Sequence, residues 1–350
     1  QVDRRPSVLV LVPNQELANQ VLRVLNTLDL GEAACGAVVA GAQGLARGSP
    51  CKVLIATPSG VMRHTDPHLL ALVRTVVVDE ADMLLEGGFL DDVVRILGEL
   101  KPAVSKGMMR RAKAGDESAM ELPREPCQLV FAAATLPDWK GDKVKSVVRW
   151  IKKRYPEAYF VQTQNLHKES QTAKQVWVDV QGEGEEALMA ALDEVLQAHA
   201  GKRTMVFVNT VSTAQAAHTH LTRGIDPTAQ VLHKEMGQME RAEAIAAFRA
   251  GAATTLISTD LGSRGLDIPK IDHIIQLELA TNAVTHLHRI GRTARAGASG
   301  LITNLIDSNS RAMAEAIKSE EGNALAPVFS RNRGFNRRKK RYGTGKAVLD

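Results

Sequence analysis

Asp79 and Glu80 end the apolar run of TVVVDEADMLL, which starts at Thr75. Two adjacent carboxylates at the carboxyl end of a strand suit one kind of chemistry, because open α/β sheets gather their ligands there. An aspartate in that place can hold Mg²⁺ through water. A glutamate beside it can orient and polarise the attacking water of a phosphoryl transfer. The same pair also serves as an ordinary helix start and cap, so alone it leaves both readings open. A second group is HRIGRTARAG from His288, which spaces Arg289, Arg292 and Arg295 at intervals of three. On a helix or tight turn they can gather on one side, where guanidinium forks match phosphate oxygens and neutralise charge on a transferring phosphoryl group. The alternative is a solvated basic face.

Such residues need elements to position them. The chain has 350 residues, 44% of them hydrophobic, which is enough for two domains with a core each. Apolar runs of strand length recur: SVLVLV from Ser7, KVLIA from Lys52, TVVVDE from Thr75, QLVFA from Gln128 and AYFV from Ala158. Amphipathic stretches at 16–28 and 90–100 lie between some of them. A polar stretch at 162–173 breaks the rhythm and reads as a linker. The alternation then resumes with QVWVDV, TMVFV, QVL, TTLIS, HIIQL and LITNLI, and with helices near 185–199, 211–223, 238–249 and 310–319. The pattern predicts an α/β fold of two tandem domains built on parallel sheets. The first covers 1–163, the linker 164–173, the second 174–329, and a basic tail 330–350. Segment 101–126 is polar and longer than a usual connection, as a surface insertion would be.

The formal charge of +5 is concentrated in that tail. Between 330 and 346 stand Arg331, Arg333, Arg337, Arg338, Lys339, Lys340, Arg341 and Lys346 with no acid, so the remainder of the chain is net acidic. A run of this kind attracts a polyanion through counterion release, or else is a solvated end. Cys35, Cys51 and Cys127 are odd in number and lack a Cys-x-x-Cys pairing, which points to free thiols in a reducing compartment. No apolar run approaches the ~20 residues needed to span a bilayer. No membrane partner is expected, and the chain is expected to be a monomer.

Taken in order, the segments resemble the DEAD-box ATP-dependent RNA helicases of superfamily two. PNQELA (13–18) is similar to the family's PTRELA, ATPSG from Ala56 to its TPGR segment, and DEAD (79–82) matches outright. AAT (133–135) stands for SAT, and FVNT (207–210) lies where the fourth motif falls. QMER (238–241), STDLGSRGLDIP (258–269) and HRIGRTAR from His288 resemble the remaining three in turn.

The resemblance implies two tandem RecA-like domains, with ATP and Mg²⁺ as cofactors and RNA as partner. Asp79 would hold Mg²⁺ through water and Glu80 would activate the attacking water. Asp82, Thr135 and His288 would couple nucleotide state to the other domain. Gly265 and Asp267 would contribute to nucleotide binding, with Asp267 on the ribose, and Arg292 and Arg295 would act as arginine fingers once the domains close. Pro13, Asn14, Gln15, Thr57, Ser59 and Gly60 would touch the RNA backbone from the first domain. Thr210, Gln238, Arg241, Thr259 and Gly262 would do so from the second. Aromatic residues make up only 4% of the chain, so phosphate and 2′-hydroxyl contacts, rather than a broad stacking platform, would hold single-stranded RNA.

Several positions depart from the family pattern. Asn14 and Gln15 replace Thr and Arg, Ser59 and Gly60 lack the usual Arg, and Ala133 lacks the serine hydroxyl. RNA grip and coupling are expected to be weaker as a result. The twelve residues before Pro13 hold no Gly-x-Gly-Lys-Thr loop and no adenine-reading glutamine motif. The first domain is therefore expected to be N-terminally incomplete, and residues 1–350 alone to hydrolyse no ATP. The segments DEADMLLEGGF, AAATLP, HLHRIGRTARAG and FSRNRGFNRRKKR further resemble plant chloroplast members acting in ribosomal RNA maturation and large-subunit assembly. That implies a chloroplast protein, with a mitochondrial relative as the alternative, and pre-ribosomal proteins as partners. The competing reading is a non-catalytic RNA-binding scaffold that retains the fold.

Overall fold

The structure, a computed structural model, describes residues 6–28, 35–38, 52–64, 70, 73–86, 88–100, 127–135, 147–162, 172–260, 268, 271–294 and 297–319. The insertion read at 101–126, the tail and nearly all of the linker lie outside these. Contacts divide the described residues into two units, one ending at Thr135 and one starting at Val147. Residues 147–162 thus group with the second unit, although the sequence reading runs the first domain to 163.

In the first unit, β1 (Val8–Leu11), β2 (Cys35–Val38), β3 (Val53–Ala56), β4 (Thr75–Val78) and β5 (Gln128–Phe131) form one sheet in the order β2-β3-β1-β4-β5. All pairs are parallel, with Val8 opposite both Val53 and Thr75. Helices α1 (Gln15–Thr27), α2 (Pro58–His64), α3 (Ala81–Glu86) and α4 (Leu90–Glu99) follow β1, β3 and β4. A parallel sheet is covered on both faces, so its strands read as continuous apolar runs rather than alternating ones. Leu9, Leu11, Leu54, Ile55, Val76 and Val78 are accordingly fully buried. Helix α1 packs Leu17 and Ala18 against Val12 and Ile55, and α4 buries Val93, Ile96 and Leu97 at helical spacing.

The second unit opens with α5 (Val147–Arg154). Its sheet has strands β6 (Ala173–Asp179), β7 (Thr204–Val208), β8 (Gln230–Leu232), β9 (Thr255–Thr259), β10 (His273–Gln276) and β11 (Gly300–Ile306), all parallel in the order β6-β11-β10-β7-β9-β8. Helices α6 (Gly184–Ala198), α7 (Val211–Arg223), α8 (Gln238–Ala250), α9 (Ala283–Ile290) and α10 (Arg311–Lys318) lie between the strands or after the last. The core joins Leu192 and Val195 of α6 with Val206, Ile257, Ile275 and Ala217.

Two local readings need correction. The strand β2 escapes the sequence because CGAV has a glycine and little β-branched density. AYFV is not a strand: residues 158–162 are irregular, with Tyr159 91% and Val161 81% exposed. Apolar residues make a strand only where a neighbour takes up the backbone amides, and no described strand pairs with this segment. Cys127 is a free thiol, pushed up in pKa by burial.

β10 begins with His273, which is fully buried. Its Nε2 lies 2.8 Å from Thr303 Oγ1, and its ring meets His199 edge-on at 4.9 Å. Burial, followed by the nearby His199 and Lys202, pushes its pKa down to about 3. An unfolded imidazole titrates near 6.5. Below that pH the unfolded chain binds a proton that the folded chain refuses, so stability falls as pH drops from about 6.5 toward 3. At pH 5 the loss is about 2 kcal/mol relative to pH 8. His273→Gln can still hydrogen-bond Thr303 but does not titrate. Urea unfolding at the two pH values should therefore show a smaller difference in the variant, and an unchanged difference would remove His273 as the cause.

Candidate nucleotide and RNA site

The carboxyl edge of the first sheet is where its chemistry collects. Asp79 follows β4, and its amide donates to the Leu11 carbonyl of β1 at 2.9 Å. Its Oδ1 accepts the Glu80 amide at 3.0 Å. Glu80 has φ +49°, a left-handed conformation that costs a non-glycine residue free energy and recurs at functional sites. The turn is fastened on both sides: Glu80 O accepts from Met83 and Leu84, and the Ala81 amide donates to Ala132 O beyond β5. Buried Asp82 accepts from the Met83 amide through Oδ1 and from the Thr135 hydroxyl through Oδ2. That second bond ties the ends of β4 and β5 together, and it survives the missing hydroxyl at Ala133.

Burial raises the Asp79 pKa above its ordinary value; the Glu80 amide opposes this and the Asp82 charge reinforces it. A nearby cation would relieve both raising effects. Asp79 and Glu80 offer carboxylate oxygens, the donor type that a hard divalent ion such as Mg²⁺ takes. These residues fit that ion.

The expected RNA-facing residues of this unit sit on the same edge. Asn14 caps α1, its Oδ1 accepting the Leu17 amide at 2.8 Å. Thr57 starts α2, its hydroxyl accepting the Gly60 amide at 3.1 Å. Pro13 is buried just ahead of Asn14, Gln15 is the first residue of α1, and Ser59 and Gly60 lie in the first turn of α2. Because β3 and β1 are sheet neighbours, both helix starts fall side by side, with Asp79 and Glu80 on the adjoining strand. Free amides at helix starts favour phosphate oxygens. Asn14 thus caps α1 where the family pattern has threonine, and Gln15 is uncharged where it has arginine.

In the second unit Thr210 repeats the device, capping α7 by accepting the Thr213 amide at 3.0 Å. Thr259 ends β9, buried, and its hydroxyl has no partner among the described residues. Gln238 and Arg241 lie in the first turn of α8, whose start is closed by Glu240 accepting the Gly237 amide at 2.9 Å.

His288 and Arg289 lie in the last turn of α9, and Arg292 follows its cap, Gly291. Arg289 and Arg292 do not form a solvated face. Arg289 is 1% exposed and Arg292 9%, while Arg295, Gly262, Gly265 and Asp267 lie outside the described residues. Arg289 turns into the unit because a partner waits there: its Nε donates to Asp260 Oδ1 at 2.6 Å and one Nη to Oδ2 at 2.9 Å. It also reaches Asn209 Oδ1 at 2.6 Å and the Glu278 carbonyl at 2.7 Å, over the face of Phe207. The stretch bearing Arg292 is held by the Thr293 hydroxyl, which donates to Ile271 O at 2.6 Å. A Cβ at position 300 would come within 2.9 Å of the Ala294 nitrogen, so glycine is needed where β11 passes beneath. Sequence reasoning missed Asn209, Asp260, Gln276 and His286. The available signal was polar residues closing otherwise apolar strands, as in HIIQ and STD.

Two parallel α/β units, with a strained Asp-Glu turn on one and capped helix starts and inward arginines on the other, define a pair of RecA-like domains. Residues 1–143 match the DEAD/DEAH box helicase family and residues 187–297 the helicase conserved C-terminal domain. The rice DEAD-box ATP-dependent RNA helicase 22 is 31% identical across 97% of this chain and 70% of its own length. The ATP-dependent rRNA helicase RRP3 of Gibberella zeae is 28% identical across 91% of this chain and 60% of its own. Among solved structures, S. cerevisiae Dbp5 bound to RNA and ADP BeF3 superposes with a TM-score of 0.72 at 26% identity, covering 90% of this chain and 75% of that one. The chain belongs to the DEAD-box ATP-dependent RNA helicases, a family of ATP-hydrolysing enzymes.

Proposed function

We propose that this chain forms the motor of an enzyme that grips single-stranded RNA by its backbone and opens short duplexes as ATP is hydrolysed. Its RNA is ribosomal RNA of the large subunit, and its compartment is the chloroplast, with the mitochondrion as the alternative. The observation that carries the RNA reading is the repeated use of capped helix starts at strand ends, by Asn14, Thr57 and Thr210. Each cap takes one first-turn amide and leaves the earlier amides of that turn to face a phosphate without reading a base, which suits sequence-independent binding.

For hydrolysis, Asp79 would hold Mg²⁺, and Glu80, kept in its strained turn, orients the attacking water and takes up its proton. Mg²⁺ held there would supply positive charge against that of the phosphates. Arg292 and Arg295 stabilise charge on the transferring phosphoryl group, and Asp82, Thr135 and His288 relay nucleotide state. The ribosomal assignment draws on the name of the RRP3 relative and the organellar one on the likeness of the basic ending to chloroplast members. The tail adds a salt-sensitive attraction for RNA.

In the full-length protein Arg292→Ala should lower RNA-stimulated phosphate release by about 10³-fold, the scale of an arginine finger, while nucleotide-free RNA binding stays near wild type. Turnover close to wild type would take Arg292 out of the mechanism. Crosslinking of the tagged protein in isolated chloroplasts, followed by sequencing of the bound RNA, tests the substrate. Large-subunit ribosomal RNA should dominate the recovered fragments, and enrichment of messenger RNA alone would contradict the assignment.

A further inference from the structure

A chain of buried amides in the second unit ends on Arg289. Gln276, with no accessible surface at the end of β10, makes four hydrogen bonds. Its Nε2 donates to Asn304 Oδ1 at 2.7 Å and to His286 Nδ1 at 2.8 Å. Its Oε1 accepts from the Ala280 amide at 3.1 Å and from Arg289 Nη1 at 3.2 Å. Asn304 on β11, equally buried, passes the chain on by donating to Gln175 Oε1 at 2.9 Å. The amides thus cross three neighbouring strands, β6, β11 and β10, and reach the guanidinium that grips Asp260 and Asn209.

Chemistry sets the direction of the chain. A guanidinium only donates, so the Gln276 oxygen faces Arg289 and its NH₂ faces Asn304 and His286. Asn304 must then turn its oxygen to Gln276 and its NH₂ to Gln175. His286 accepts at Nδ1, which places its proton on Nε2. Every polar valence of Gln276 is used, and neither a carboxylate nor an apolar side chain of that length reproduces the pattern.

What Arg289 holds gives the chain its consequence. Asn209 precedes Thr210 and Asp260 follows Thr259. Arg289 itself follows His288 and stands three residues before Arg292. We infer that Gln276 is a positioning residue: it fixes the Arg289 fork, and through it the strand ends that carry the RNA-contacting threonines and the helix end that carries Arg292. The inference rests on the helicase reading of those groups. A buried amide that only specified the fold would leave the chemistry unchanged in any variant that still folds.

The test uses full-length protein with Gln276→Glu and Gln276→Met, assayed for ATP turnover at saturating RNA well below the melting temperature. kcat should fall about tenfold or more while KM for ATP moves less than about threefold, because a displaced positioning group weakens the transition state more than ground-state binding. Gln175→Leu, at the partly buried end of the chain, should give a smaller fall in kcat of the same kind and keeps the test informative if the Gln276 variants fold poorly. Lowered melting with kcat and KM unchanged would overturn the inference. Nitrogen-15 NMR of His286 in the wild-type protein is independent of activity and should report the Nε2–H tautomer; the Nδ1–H tautomer would overturn the chain itself. A wild-type protein with that tautomer but without RNA-stimulated turnover would instead sink the helicase reading.

Discussion

The grip of Arg289 on Asp260 is the constraint on which the second unit depends. A guanidinium with 1% exposure is tolerable only when its donors are met, since an unpaired buried charge costs several kcal/mol. Here it meets a carboxylate, two other side-chain oxygens and backbone carbonyls at the ends of β7 and β10. Those ends adjoin the segments proposed above to contact nucleotide and RNA. One buried side chain therefore sets the relative placement of three strand ends and a helix end, a geometry that apolar packing, being non-directional, does not specify alone.

The first unit solves the same problem differently. Its anchor is the Asp82–Thr135 bond together with the amide bridge from Ala81 to Ala132, and between them they hold Glu80 in a conformation it would otherwise avoid. In both units a continuous apolar sheet supplies rigidity, and a few polar side chains at the carboxyl edge supply aim. The family's chemistry needs both, because positioning and electrostatic stabilisation are nearly all a protein contributes to phosphoryl transfer.

Most of this was legible in the sequence where one physical rule dominated. Parallel strands are apolar on both faces, so VLVL, TVVV, TMVFV and LITNLI declare themselves, and AYFV misleads because the same composition says nothing about whether a pairing edge exists. Asp79 and Glu80 were legible as a strand-end pair because motif and strand end coincide, whereas the caps made by Asn14, Thr57 and Thr210 were not read from the sequence. Arg289 was not: its spacing with Arg292 suggests a shared surface, whereas its fate was decided by Asp260, 29 residues earlier in the chain. Gln276 and His286 were hidden for the same reason, since a polar residue in an apolar run shows its partners only in three dimensions.

The most direct measurement is the RNA-stimulated ATP turnover of full-length protein carrying Arg289→Lys. Lysine keeps the positive charge but loses the planar fork that reaches Asp260, Asn209 and Gln276 at once. If that geometry aims the site, turnover falls by about tenfold or more, as far as in Arg289→Met, although the charge is retained. Wild-type turnover in the lysine variant would contradict the account, because it would mean that charge alone is sufficient there and that the fork positions nothing.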